Sequence, residues 1–569
     1  MNGDDTTMDH PRPEDMFGAA TVPEALELAA ATPRGITVVG RQLDQSPLPY
    51  ALLAAGARRV AAGLVRAGVA RGDRVAIVSS TSPGFLLSLF GAWRAGAVPV
   101  ILPLPHRLSD LPDFVAEVNR RLDHVDARCV VVADAFGDFV TGRITGDRPV
   151  LTCGELAAER EGIGGPVLTR PDDLAYLQFT SGTTGLPRAV ALTHRQMLTN
   201  AAVCCERLGL ERDRSVHVSW LPLYHDMGLI SVLAGMAYRI KLVLQPPEDF
   251  LARPDSWVDA LSRFRATSTV APNFAYGLAA EGMRLRPRDL DLSHLEVCGD
   301  GAEPIRAGTL EQFVEAGSAY GLRPQAMTPM YGMAEATLAV AMGEATRPLV
   351  WDHVSRAGLQ AGGVARPVPA DAPDARALAV CGPPVPGVRV EIRDADGTPR
   401  GEREVGEICV SSPSLMRGYW RDPEATAAVL RDGRLHTGDL GYLTEDGGVV
   451  VCGRIKDMII VSGRNLYPED YEHVAAKVKG VRPVCAAFAL PDTERMIVAF
   501  ESAKGVADHQ EVAARVMKRL REHLGHAPDK VVALDKGAIP RTSSGKVQRS
   551  LCRERYLTGR MEALAEVAR

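Results

Sequence analysis

Two apolar stretches, 174–179 and 189–192, flank the run Thr180-Ser-Gly-Thr-Thr-Gly-Leu-Pro-Arg188, and no other segment restricts the fold as much. Thr180, Ser181, Thr183 and Thr184 supply four hydroxyls, while Gly182 and Gly185 let the backbone curl so that its N–H groups converge on an anion. Arg188 can add a charge-assisted bond. The G-x-x-x-x-G-K-[ST] spacing of a P-loop is absent and the next element reads as a strand, so no helix dipole is expected here. The same residues would also make an ordinary turn between strands.

The chain of 569 residues is too long for one hydrophobic core, and several packed subdomains are expected. A net charge of -5 over this length leaves no electrostatic footprint for nucleic acid or an anionic membrane. The ten cysteines show no C-x-x-C spacing, and Cys129, Cys409 and Cys452 fall in apolar runs, as buried thiols in a reducing compartment would. Asp4, Asp5, Asp9, Glu14 and Asp15 occupy the region where a signal peptide needs an apolar core. The longest apolar stretch, 85–105, is broken by Arg94, glycines and prolines, so no membrane span is expected. A cytoplasmic location follows as the expectation.

Helical and strand patterns alternate on both sides of the loop. Leu53, Val60 and Leu64 recur at helical spacing, Gly72-Asp73 turns the chain, and 74–79 reads as a strand. Helix 83–95 with strand 98–102, and helix 111–122 with strand 127–133, extend this to a mostly parallel sheet covered by helices. The pattern resumes with helix 195–208 and strands 216–220, 240–244 and 268–271. Residues 361–376, dense in Ala, Gly, Pro and Asp, read as a flexible surface insertion. Beyond it, strands 388–393, 406–411 and 449–451 lie between Asp-Gly turns at 396–397, 432–433 and 446–447, which makes a β-rich subdomain. From residue 458 the chain reads as a small α+β domain, so the fold class is α/β with several subdomains.

Five further segments carry candidate polar residues, and each admits a structural reading. His225 and Asp226 open a helix after Leu221-Pro-Leu-Tyr, as a core histidine beside a first-turn carboxylate would. Gly299-Asp-Gly-Ala-Glu-Pro304 ends a strand in glycines before a proline suited to a first helical turn, either as a tight turn or as bare backbone for a flat ligand. In Tyr331-Gly-Met-Ala-Glu-Ala-Thr, Glu335 is the only carboxylate of the run 327–342, either a solvated helix start or a ligand for a hard cation. Asp439 in His436-Thr-Gly-Asp-Leu-Gly reads as a turn residue bonding its own backbone or as an acceptor from two hydroxyls. Lys546, in Pro540-Arg-Thr-Ser-Ser-Gly-Lys, would ordinarily be a mobile surface charge.

Taken in order, these motifs resemble those of the adenylate-forming ligase superfamily, from about residue 20 to the C-terminus. Trp220-Leu-Pro-Leu-Tyr-His-Asp-Met-Gly, Ala271-Pro-Asn-Phe-Ala-Tyr, Gly301-Ala-Glu-Pro-Ile-Arg and Gly463-Arg-Asn-Leu-Tyr-Pro-Glu-Asp look most like the fatty acyl-AMP ligases. The resemblance implies a large domain over 1–456 with an insertion at about 352–380, and a mobile small domain over 457–569. It implies ATP and Mg²⁺, with Thr180 to Gly185 and Arg188 on the phosphates, and Glu335 and Thr184 at the metal. Tyr331 with Gly332, and Gly301, Ala302 and Glu303, would meet adenine; His225 would border the nucleotide and the acyl pocket. Asp439 would take the ribose, Arg454 would be a second nucleotide contact, Asp457 the hinge and Lys546 the catalytic lysine.

A carboxylate attacking the α-phosphorus of ATP is an anion approaching an anion, so such a site needs a metal, donors round the pyrophosphate and a bridging cation. The expected reaction activates a carboxylic acid, of the fatty class, to acyl-adenylate and passes it to the phosphopantetheine thiol of an acyl carrier protein. Two alternatives stand beside it. One is an acyl-CoA ligase, including one that uses only the thioester-forming half-reaction. The other is a non-catalytic acyl-adenylate-binding protein, which Arg188 for the usual lysine, Ala189 for glycine and Asp300 for asparagine would favour.

Overall fold

The computed structural model describes residues 11–104, 111–137, 142–159, 167–180, 188–491, 493–542 and 545–569. Two sheets organise the larger part. The first has eight strands in the order Ala339–Met342, Met327–Gly332, Val297–Asp300, Ser268–Ala271, Val216–Ser219, Lys241–Leu244, Gly35–Val39 and Gln45–Pro49. All neighbours run parallel except the outermost pair on each side. The second sheet, Val98–Ile101, Arg74–Val78, Ala127–Val132 and Val150–Thr152, is wholly parallel. Strands buried on both faces need side chains that pack on both, and the sequences Arg-Val-Ala-Ile-Val and Ala-Arg-Cys-Val-Val-Val meet that demand.

One hydrophobic cluster joins the two sheets through the helices Tyr50–Arg66, Pro83–Arg94, His194–Arg207 and Asp226–Ala237. On the other face of the eight-stranded sheet an aromatic cluster forms, in which Trp220 stacks on Phe250 with ring centroids 3.7 Å apart. The strands Leu174–Phe179 and Ala189–Thr193 pair antiparallel, with Thr180 N–H donating to the Arg188 carbonyl at 2.9 Å. The next element after residue 188 is a strand, as the sequence indicates; residues 181–187, which carry most of the hydroxyl-rich run, lie outside the described residues.

The β-rich subdomain forms, with two strands more than the sequence indicates, Leu430–Arg431 and Arg434–Leu443. Arg434–Leu443 is a ten-residue strand between Gly406–Ser411 and Val449–Arg454, and Asp439 lies inside it. The expectation of a turn at Asp439 is thus corrected: Gly438 has φ 70°, but the register shift against Glu407 and Cys409, which pair with Leu440 and His436, absorbs it without ending the strand. Likewise the helix expected at Pro304 begins at Ala307, which leaves 301–306 as an open loop.

The insertion is not a loose coil. Its ends pair as the antiparallel strands Trp351–Ser355 and Ala375–Ala379, with the helix Arg356–Gly362 between them. Leu359 and Ala365 are fully buried in a cluster with Tyr442, Val450, Cys452 and Tyr467. Asp352 accepts from Tyr442 at 2.6 Å and from Arg403 at 2.9 Å. The sequence misleads here because its Gly and Pro set turns inside a segment whose larger apolar residues, Val354, Leu359 and Leu378, are buried.

After the short 3₁₀ turn Ile455–Asp457 comes a hairpin, Ile459–Val461 with Arg464–Leu466, and then the sheet Val481–Ala489, Met496–Ser502, Lys530–Leu534, Ala563–Ala568. Arg549 binds Asp457 at 2.8 Å, Glu469 at 3.0 Å and Glu472 at 2.7 Å, tying this turn to the helix Pro468–Ala476. The insertion reaches the same helix: Arg376 pairs with Asp470 at 2.9 Å, lies 4.4 Å over the Tyr467 ring and donates to the Cys452 carbonyl. Arg356 approaches the other oxygen of Asp470 at 3.6 Å. Among the described residues no helix is long and apolar enough to cross a membrane.

Removing Arg376 would leave Asp470 buried with one distant cation, at a cost of about 3 kcal/mol. R376A should therefore lower the thermal midpoint and speed tryptic cleavage near 452–470. An unchanged midpoint and digestion pattern would mean that the insertion does not brace this junction.

Candidate active site

Parallel strands deliver their C-terminal ends to one edge, and ligands of open α/β sheets gather there. The loops after Val216–Ser219, Ser268–Ala271, Val297–Asp300 and Met327–Gly332 carry His225, Asn273, Gly301 to Glu303 and Glu335 to that edge. They open on a cleft of about 2970 Å³, several times a single small-molecule pocket, whose walls include Tyr331, Asp439, Arg454 and Lys546.

The first wall is built by close backbone approach. A Cβ on Gly332 would stand 1.8 Å from the Leu338 carbonyl oxygen, so the chain can double back into the turn Ala334–Ala336 only with glycine there. That turn presents Glu335, whose Oε1 accepts from the Tyr419 hydroxyl at 2.9 Å. Arg188 lies 5.1 Å over the same tyrosine ring and 3.9 Å from Asp422. Ala302 takes φ 68°, and the Glu303 carboxylate turns away from the loop to accept from Phe274 N–H at 2.6 Å, at the start of the helix Asn273–Leu285.

Asp300 is fully buried behind this loop. Its Oδ2 accepts from the Asn273 amide at 2.7 Å, and among the described residues its Oδ1 has no partner. Burial pushes the carboxyl well above the ordinary carboxylate range, which favours its neutral form. A neutral carboxyl offers one donor and one acceptor, as an asparagine does, and the departure from asparagine is chemically small.

The opposite wall comes from the β-rich subdomain and the C-terminal part. Asp439 is buried and bidentate: Oδ2 accepts from the Tyr331 hydroxyl at 2.8 Å and Oδ1 from Arg454 Nε at 2.7 Å. Behind it, Glu407 accepts from Gly438 N–H at 3.0 Å and meets His436 Nδ1 at 2.8 Å, which fixes the kink that aims Asp439. The loop bearing Lys546 closes on itself, Thr542 N–H donating to the Lys546 carbonyl at 2.8 Å.

Lys546 reaches into the cleft solvent within electrostatic range of Asp226, Glu303, Asp439 and Arg454. The crowded surroundings, aided by Arg454, hold its pKa below the ordinary lysine value, against the pull of the three carboxylates. His225 caps the helix Asp226–Ala237 and is held at about 4 by burial and by Lys546, so its imidazole is neutral. Burial raises Asp226, and Glu335 adds to this, while the Met227 N–H and Lys546 oppose it.

The structure thus brings together His225, Gly301, Ala302, Glu303, Tyr331, Gly332, Glu335, Asp439, Arg454, Lys546 and Arg188 round one cleft. Ser181, Gly182, Thr183, Thr184 and Gly185 lie outside the described residues; Thr180, at their edge, lines the cleft. Sequence reasoning missed Tyr419, which joins Arg188 to Glu335 from 84 positions away. It also missed Asn273, although the Ala271-Pro-Asn motif contains it.

Part of the cleft lies between the eight-stranded sheet and the helices His194–Arg207 and Asp226–Ala237, where Cys204, Ala234, Ile240, Val270 and Met342 line it. Such a lining suits an apolar group.

Residues 26–420 match the AMP-binding enzyme family. A putative ligase of Mycobacterium tuberculosis, Rv1013, is 38% identical over 87% of this chain and 92% of its own length. The medium-chain-fatty-acid–[acyl-carrier-protein] ligase JamA of Moorena producens is 32% identical over 91% of each chain. A solved structure from work on fatty acyl-adenylate ligases of E. coli and L. pneumophila superposes with a TM-score of 0.89 at 32% identity, covering 96% of this chain and 99% of that one. With its motifs in order round one cleft, the chain belongs to the AMP-binding, adenylate-forming enzymes, and among them is most like the fatty acyl-AMP ligases.

Proposed function

We propose that the chain condenses a fatty acid with ATP to acyl-adenylate and pyrophosphate, then passes the acyl group to the phosphopantetheine thiol of a carrier protein. The observation that supports this reading is that Lys546, Asp226, Glu303, Asp439 and Glu335 all line one cleft. Lys546 is the cation that bridges the attacking carboxylate and the α-phosphate, where opposite charge lowers the barrier most. Asp439 accepts from the ribose hydroxyls in place of one of its present donors, and Tyr331 with the backbone of 301–303 holds the adenine. Glu303, whose carboxylate already caps a helix, contributes its main chain. Asp457, held by Arg549, is the hinge between a large domain over 1–456 and a small one over 457–569.

Glu335 fits a hard cation: among the described residues its side chain has one hydroxyl partner, Tyr419, and an acceptor-only carboxylate suits Mg²⁺. With Thr184 it would hold the ion, which when bound neutralises phosphate charge. Retention of these groups, and the asparagine-like state of Asp300, favour a working enzyme over a degenerate binder.

Loss of a bridging cation slows chemistry on the order of a hundredfold or more. K546A should therefore abolish acyl-AMP formation, followed by mass spectrometry, with an unchanged thermal midpoint. Undiminished acyl-AMP would remove Lys546 from the mechanism.

Arg188 acts on the pyrophosphate, with Tyr419 as its platform. R188A should raise the KM for ATP several-fold with little change for the acid; equal ATP dependence would make it a surface residue.

The acceptor is a carrier protein because the docked insertion grips the helix Pro468–Ala476 through Asp470 and opposes the swing that a CoA thioester requires. D470A should raise acyl-CoA formation relative to acyl-AMP release. If the unaltered enzyme already makes acyl-CoA efficiently and D470A changes nothing, the CoA-ligase reading is the right one.

A further inference from the structure

The part of the cleft between the eight-stranded sheet and the helices His194–Arg207 and Asp226–Ala237 is apolar along most of its wall, with one polar interruption. His217 and Ser268 sit side by side on neighbouring strands of the eight-stranded sheet, His217 Nδ1 lying 3.1 Å from Ser268 Oγ. Both line the cavity and both are buried, at 5% and 1% exposure. The other hydroxyl there, that of Ser231, is spent on the Gly228 carbonyl at 3.0 Å. Among the described residues His217 Nε2 has no partner. A buried ring nitrogen without a partner is an expensive feature to keep in an apolar wall, and it needs an explanation in what the cleft receives.

We propose that His217 reads a hydroxyl on the acyl chain, so that the natural substrate is a hydroxylated aliphatic acid. The proposal rests on the acid-activating reading above. Its position follows from the sheet. His217 stands two residues before Ser219, where the strand Val216–Ser219 ends at the cleft mouth, roughly 7 Å down at the usual rise per residue. The hydroxyl is therefore several carbons from the carboxylate and clear of the reacting atoms. The imidazole is neutral, since burial holds its pKa at about 4, and it therefore offers Nε2 as donor or acceptor according to the tautomer Ser268 selects. A hydroxyl can answer either tautomer, whereas a ketone answers only one. The step is recognition alone, with no bond made or broken.

The test is ATP–pyrophosphate exchange with octanoic and dodecanoic acids against their mid-chain and terminal monohydroxy derivatives. At least one hydroxy acid should exceed its parent in kcat/KM by roughly tenfold or more, because a site built for a hydroxyl rejects the analogue lacking it. H217L should reverse the preference by slowing that hydroxy acid and speeding its parent, and H217Q, which keeps a polar terminus, should preserve it. Parent acids that match every hydroxy derivative in the unaltered enzyme would overturn the proposal and assign Nε2 to a trapped water. If no acid supports exchange, the adenylation reading fails, and calorimetry with plain and hydroxylated acyl-sulfamoyl-adenosines decides the pocket separately. Tighter binding of the hydroxylated analogue by about tenfold would sustain the claim, and equal affinity would end it.

Discussion

Three carboxylates, Asp226, Glu303 and Asp439, share the electrostatic surroundings of one lysine, and that lysine arrives from the far end of the chain. Like charges in a poorly solvated cleft repel, so their convergence demands a cation that the large domain does not itself place among all three. Lys546 answers the demand from the C-terminal part, with Arg454 on the opposite flank of Asp439. The parallel sheet sets the first two carboxylates at its C-terminal edge, the β-rich subdomain brings the third, and the small domain closes the circuit.

That dependence makes the junction between the two parts as consequential as the site. Arg549 gathers Asp457, Glu469 and Glu472 on one side, and Arg376 with Arg356 holds Asp470 on the other. Two cationic clamps thus grip one short helix, Pro468–Ala476, from its own domain and from the insertion. A rigid insertion can resist rotation of that helix, whereas a coil would resist only through its entropy, which varies weakly with length.

The elements legible from sequence were those whose signal is local. Alternating helical and strand periodicity found the parallel sheets, and Asp-Gly pairs found the hairpins at Gly397, Gly433 and Gly447, all with positive φ. Glu335 stood out as the lone carboxylate of an apolar run, whereas His225, Asp439 and Lys546 each had an ordinary structural reading and were singled out by the family resemblance of their motifs. What stayed hidden is set by contacts distant in sequence. Tyr419 gains its importance only when the strand Gly418–Tyr419 pairs with Ala189–Thr193, and His217 only when its strand lies beside Ser268. The insertion was misread because Leu359 and Ala365 find their partners nearly a hundred residues on, at Tyr442 and Val450.

One measurement bears most directly on the account, namely acid-dependent exchange of labelled pyrophosphate into ATP by the unaltered chain, across fatty and aryl acids. The account predicts exchange that needs both Mg²⁺ and a fatty acid, at a rate well above the acid-free background. Exchange with none of the acids, from a protein that still binds ATP, would contradict it and leave the cleft as a binding site without adenylation chemistry.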